Sequence, residues 1–168
     1  MAEAAQPEKL TIRDADGAVT EEVTMKNGVL DGDTVLYAAG HIRARLQYRE
    51  GKQNGEALFY DDAGRVQTKA QYRNGKRHGE SLHYSEGGTL VRRANYQNDM
   101  LHGYTIDYYP SGKPREVSTY KENVLDGEMI RLGEDGKITE RLYYEHGRPK
   151  KSPPAARPTP PKPKTGRV

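Results

Sequence analysis

A fixed 24-residue period runs through this chain: Tyr48, Tyr72, Tyr96, Tyr120 and Tyr144 each lie 24 residues apart. A second tyrosine series, Tyr37, Tyr60, Tyr84 and Tyr108, steps by 23, 24 and 24. Glycines keep the same beat at two further phases, Gly40, Gly64, Gly88, Gly112 and Gly136 at one and Gly32, Gly55, Gly79, Gly103 and Gly127 at the other. A period of this length marks a stacked array, in which each unit is one supersecondary element that buries its apolar surface only against its neighbours. An array of copies favours a binding surface over a reaction centre.

Residues 55–77 show the unit. Leu58 and Tyr60, two apart, belong to one face of a strand. Asp61-Asp62-Ala63-Gly64 is a turn signal, and a second strand follows with Val66, Ala70 and Tyr72 on one face and Arg65, Gln67, Lys69, Gln71 and Arg73 on the other. Asn74-Gly75-Lys76-Arg77-His78-Gly79 reads as a second glycine-rich turn, so Gly32, Gly55, Gly79, Gly103 and Gly127 are expected at turns. Two strands and two turns per unit give an all-β, elongated, single-layer antiparallel meander of stacked hairpins. Each hairpin adds about 10 Å across the sheet. In this reading both tyrosine series share one apolar face that no helix in the chain covers, and the twist of the sheet curls that face into a trough. The first unit is one residue short between Tyr37 and Gly40, which places the deletion in a corner. A half-unit with Gly17, Val19, Met25 and Gly28 in register precedes it.

Composition sharpens this picture. With 33% hydrophobic residues, no Trp and one Phe, the chain cannot build a thick core. Its buried area is expected to come from tyrosine, whose ring packs while its hydroxyl stays hydrated. The absence of cysteine excludes disulfides, thiol catalysis and cysteine metal sites. Six of the 27 basic residues and none of the 24 acidic ones lie between Pro149 and Val168, leaving 21 basic against 24 acidic in 1–148. The basic pI therefore belongs to the tail, and a nucleic-acid partner is disfavoured. Residues 1–9 are expected to be a flexible N-terminus, 10–148 the array, and 149–168, with seven prolines, a disordered Pro/Lys-rich tail that either solubilises the chain or tethers it. No secretory signal is apparent at Met1. The expected location is cytoplasmic, or periplasmic if Met1 replaces a removed signal peptide.

The unit Tyr72-Arg-Asn-Gly-Lys-Arg-His-Gly-Glu-Ser-Leu-His-Tyr84, repeated as Tyr48 to Tyr60, resembles the MORN repeat, and within it the bacterial variant of YwqK-family antitoxin-like proteins. The resemblance covers about residues 10–148. It implies a hairpin array that binds a partner, with no catalytic residue set, no cofactor and no metal. It departs at Asp99 and Asn123, which stand where Gly51 and Gly75 do, at Pro114 in place of an apolar residue, and at Tyr104 in place of Glu56 and Glu80.

Four features of the repeat are candidates for a site. His78 and His102 share a repeat position with Asp31, Asn54 and Asp126, residue types that suit turns better than a metal site. His83 is expected on the solvated face. The basic stripe of Arg43, Arg45, Arg49, Arg65, Lys69, Arg73, Arg93, Arg115, Lys121 and Arg141 is either an anion surface or a solvated face, and the interleaved acids favour the latter. The tyrosines Tyr48, Tyr60, Tyr72, Tyr84, Tyr96, Tyr108, Tyr120 and Tyr144 are the candidate partner-binding residues, as hot-spot types that also stack between units. The expected function is a protein-binding module, an antitoxin or immunity protein that neutralises a cognate toxin by stoichiometric binding along the tyrosine face. The alternative is a membrane-associated or scaffolding repeat protein that binds acidic lipid. A small-molecule partner is disfavoured.

Overall fold

The computed structural model describes residues 6–151. Among them are thirteen strands and no helix: β1 (Glu8–Arg13), β2 (Val19–Lys26), β3 (Val29–Ala38), β4 (His41–Arg49), β5 (Lys52–Tyr60), β6 (Val66–Arg73), β7 (Lys76–Tyr84), β8 (Leu90–Gln97), β9 (Met100–Tyr108), β10 (Pro114–Lys121), β11 (Val124–Leu132), β12 (Ile138–Glu145) and β13 (Arg148–Lys150). They form one open antiparallel sheet in sequence order, the single-layer meander that the period dictates. The ladder starts at Glu8, paired with Met25, and closes with Lys150, paired with Tyr143. It thus takes in two residues expected to be flexible and two assigned to the tail. Residues 152–168 of the tail lie outside the described residues.

The two kinds of corner differ. At Asn27-Gly28, Glu50-Gly51, Asn74-Gly75, Asn98-Asp99, Glu122-Asn123 and His146-Gly147 both residues have positive φ, the signature of a two-residue type I′ hairpin turn that matches strand twist. Asp99 and Asn123 hold φ of 69° and 68° where other units use glycine. These turns also stack on one another. Gly51 N–H donates to the Leu30 carbonyl at 2.8 Å, Gly75 to Gln53 at 2.8 Å and Asn123 to Leu101 at 3.0 Å, tying each turn to the hairpin before it. At the opposite edge the corners are longer. Asp61 Oδ1 accepts from the backbone N–H of Ala63 and Arg65, and Gly64 donates to the Asp61 carbonyl. The missing residue of the first unit lies where the spacing puts it. Ala38 pairs directly with His41 across a two-residue turn, Ala39-Gly40.

One expectation fails here. Gly32, Gly55, Gly79, Gly103 and Gly127 are not in turns; they sit inside β3, β5, β7, β9 and β11. Asn74-Gly75 is already a complete turn, so Lys76 begins the next strand and Gly79 falls four residues into it. There the register slips, as between Leu46 and Tyr48 against β5, and glycine supplies the bulge. The other pressure on this position is space. A Cβ on Gly55 would stand 2.3 Å from Gln47 Oε1, and one on Gly127 would stand 3.0 Å from Thr119 Cβ.

One line of buried side chains crosses the sheet. Leu46 pairs with Ala57, Ala57 with Ala70, Ala70 with Ser81, Ser81 with Ala94, Ala94 with Thr105, Thr105 with Ser118 and Ser118 with Met129. Directly opposed residues share a face, so this row crosses the sheet at right angles to the strands. All of its members are buried, Ala57 and Ala94 completely. Such small side chains reach full burial in a single-layer sheet only because larger neighbours on the same face close over them. Around Ala57 these are Leu36, Tyr48, Phe59 and Tyr72.

Candidate binding face

The register places the tyrosines, and it overturns the expectation of one aromatic face. Ala57 pairs with Ala70, and Leu58 with Lys69. Tyr72 is two residues from Ala70 and shares the face of the buried row; Tyr60 is two residues from Leu58 and lies on the other. Both strands carry an apolar residue two before the tyrosine, Leu58 and Ala70, but Ala70 opposes Ala57, and a register offset of one residue exchanges the faces. Tyr48, Tyr72, Tyr96, Tyr120 and Tyr144 therefore line one side of the sheet, and Tyr60, Tyr84 and Tyr108, with Tyr37, the other.

The first series forms a rail beside the buried row. Each of its tyrosines sits directly across from a bulge glycine: Tyr48 from Gly32, Tyr72 from Gly55, Tyr96 from Gly79, Tyr120 from Gly103 and Tyr144 from Gly127. With no side chain opposite, each ring has room to lean across its neighbour. Gln53, Arg77, Leu101 and Leu125 alternate with the tyrosines along the rail, paired with Tyr48, Tyr72, Tyr96 and Tyr120. The Arg77 guanidinium lies 4.1 Å from the centre of the Tyr96 ring, a cation–π contact. Burial pushes the Tyr72 and Tyr120 hydroxyls above the ordinary tyrosine range. All five tyrosines are half-buried, and Tyr48 and Tyr72 pack against the buried row.

On the other side of the buried row the same face changes character along the array. Leu36, Ala44 and Phe59 are apolar. Thr68 and His83 follow, hydrogen-bonded at 3.1 Å (Oγ1 to Nδ1), and then come Arg92, Asp107, Glu116 and Arg131. Arg131 bridges Glu116 at 3.0 Å and Glu140 at 2.5 Å. His83 is thus half-buried rather than solvated, and burial first, then Arg92 and Arg77, hold its pKa below the ordinary histidine value.

The opposite face alternates aliphatic and cationic side chains: Arg45, Leu58, Lys69, Leu82, Arg93, Ile106. Tyr108 belongs here; it is buried, and its hydroxyl, which has no partner, is pushed up by that burial. The cations are matched to a neighbouring acidic row. Lys69 meets Glu56 at 2.5 Å, Arg93 meets Glu80 at 3.1 Å and Arg141 pairs with Glu128. The hydrogen bond from Glu56 is what chiefly raises the Lys69 pKa. Arg43 pairs with Asp62 and Arg65 with Asp61. Half of the ten-residue basic stripe is therefore held by carboxylates, which favours the solvated-face reading. In the fourth unit Tyr104 and Val117 replace this acid–base pair together, and Val117 lies between Ile106 and Ile130 in an aliphatic break.

His78 and His102 lie in β7 and β9 rather than in turns. No group of three or more His, Asp or Glu is placed to hold a metal ion among the described residues. The cavities there are open depressions, such as one of about 170 Å³ between Val35, Arg45 and Leu58. No helix in the described residues is long and apolar enough to cross a membrane. One signal for the site was missed in the sequence. The tyrosine of each unit follows a bulge glycine by a constant 17 residues from Tyr72 onward, which is the cross-strand pairing written into the spacing.

No curated protein matches the chain. Among solved structures it is similar to a chain of "Crystal structure of GtfA/B complex bound to UDP and GlcNAc", at 16% identity and a TM-score of 0.29, over 66% of this chain and 22% of that one. Residues 53–74, 77–98 and 101–122 match the family model for the MORN repeat variant. Each matched segment takes in one hairpin, β5–β6, β7–β8 or β9–β10. Three consecutive hairpins in the middle of the array are thus each similar to the MORN repeat variant.

Proposed function

We propose that this chain is a protein-binding repeat module rather than an enzyme, and that it binds along the rail Tyr48–Tyr72–Tyr96–Tyr120–Tyr144. The observation that carries this reading is the half-buried state of all five rings. Each is partly packed and partly accessible, so a partner would meet aromatic anchors that lose little entropy on binding. The finer reading, which draws on the sequence resemblance to YwqK-family proteins, is a cytoplasmic antitoxin or immunity protein that neutralises a toxin by covering it stoichiometrically. The test is to produce the product of a neighbouring gene with and without this chain. Growth arrest relieved by the chain, with a complex of defined ratio on gel filtration, supports the reading. A harmless neighbour that forms no complex refutes it. Lipid binding is the weaker reading, because carboxylates neutralise much of the cationic stripe.

A further inference from the structure

We propose that the open edge of β1 is a self-association surface, and that two copies of this chain join there across a two-fold axis perpendicular to the sheet. A strand at the edge of a sheet presents unpaired N–H and C=O groups to any other strand. The two ends of this array differ in what they present. Glu145 and Arg148 close the two-residue turn before β13, so they bond to each other and Arg148 faces inward. Hydrogen bonding alternates along a strand, which turns Pro149 outward, and it has no N–H to give. That end is blocked.

β1 is longer, at six residues, and holds no proline. Lys26 and Val29 close the β2–β3 turn and bond to each other. The residues of β2 that bond toward β1 are then Met25, Val23 and Glu21, opposite Glu8, Leu10 and Ile12. Lys9 and Thr11 are left with N–H and C=O aimed outward, on a strand exposed along its length. β2 is its one neighbour in the sheet.

The buried row sets what fits this edge. From Leu46 the row runs on through Thr34 and Val23 to Leu10. Thr34 and Val23 are buried, whereas Leu10, the last member, is 39% exposed and Ile12 on the same face is 44% exposed. A second β1, antiparallel and centred on Leu10, carries the row across the axis. Leu10 then meets its own copy at the closer, non-hydrogen-bonded spacing of about 4.5 Å. Lys9 and Thr11 exchange backbone bonds with Thr11 and Lys9 of the second copy. Neighbouring registers are worse. Centring on Lys9 opposes two lysines, centring on Thr11 sets Lys9 against Arg13, and centring on Ile12 sets Leu10 against Asp14. With a two-fold axis and a blocked far end, association stops at two. One strand pair buries less than the roughly 1,200 Å² of stable interfaces, so the dimer forms near about 100 µM rather than at nanomolar concentration.

The chain has no cysteine, so a single introduced thiol forms a disulfide only between copies. Leu10→Cys should oxidise to a covalent dimer at least about ten-fold faster than Thr11→Cys, whose Cα atoms in this register stand about 8 Å apart, beyond disulfide reach. Sedimentation of the unmodified chain from about 10 µM to about 1 mM should show monomer passing to dimer and nothing larger. Thr11→Pro deletes an outward N–H that the β1–β2 ladder does not use, and should stay monomeric with amide exchange in β5–β9 unchanged. A wild-type chain that is monomeric over the whole range overturns the proposal. So do assemblies larger than two, equal oxidation of the two thiols, and a dimer that survives Thr11→Pro.

Discussion

At the scale of single residues, the bulge glycines and the residues of the buried row set the geometry. Gly127 has φ of 131° and would place a Cβ 3.0 Å from Thr119 Cβ, whereas Gly103, at 89°, would meet Asn95 Cβ only at 3.9 Å. Gly127→Ala should therefore lower stability by about 2–3 kcal/mol and Gly103→Ala by about 1 kcal/mol, as read by urea unfolding. The opposite sign is expected at Tyr108, whose buried hydroxyl has no partner. Tyr108→Phe removes a desolvated polar atom and keeps the ring, so stability should hold or rise by about 1 kcal/mol in the same assay. His83 gives the pH dependence. Its folded pKa is held below 6.5, so the unfolded chain takes up the proton first as pH falls. Stability contributed by this group is complete above pH 6.5 and declines as pH drops from there toward the depressed folded value. Unfolding at pH 7 and pH 5 should show that loss in the wild type and a smaller one in His83→Asn.

At the scale of elements, the type I′ turns are the cleanest local signals. Asn-Gly at 27–28 and 74–75 has the residue types that positive φ demands, but Glu50 and Glu122 adopt φ of 50° and 52° in the same first position. Glu50→Asn should stabilise the β4–β5 hairpin by about 0.5–1 kcal/mol, measured as a rise in Tm. The hairpin order, the corner marked by Gly40, Gly64, Gly88, Gly112 and Gly136, and the shortened first unit were legible in the sequence, because turn chemistry and spacing are local. The faces were not. Which side Tyr60 occupies depends on whether Leu58 or Ala57 opposes Ala70, and both are apolar, so the pattern did not decide it. The bulge glycines were misplaced for a related reason. A glycine needed for a bulge inside a strand looks in sequence like a glycine needed for a turn.

At the scale of the whole molecule, each hairpin touches only its neighbours, so the array has middle units held on both sides and two ends held on one. β1 is exposed along its length, and β13 has three residues. Pro149 there lacks an N–H, which suits an edge position. Amide exchange should be slowest from β5 to β9 and fastest in β1 and β13. Everything assigned to the binding face follows from the register between hairpins, since that register puts the tyrosine rail beside the buried row and sends the second series to the other side. With no native cysteine, the register is open to direct measurement by pairwise cysteine oxidation. Ala57→Cys/Ala70→Cys should close an intramolecular disulfide readily, being directly opposed, while Leu58→Cys/Ala70→Cys should not. Closure of the second pair in preference to the first would return Tyr60 to the face of Tyr72 and contradict the account.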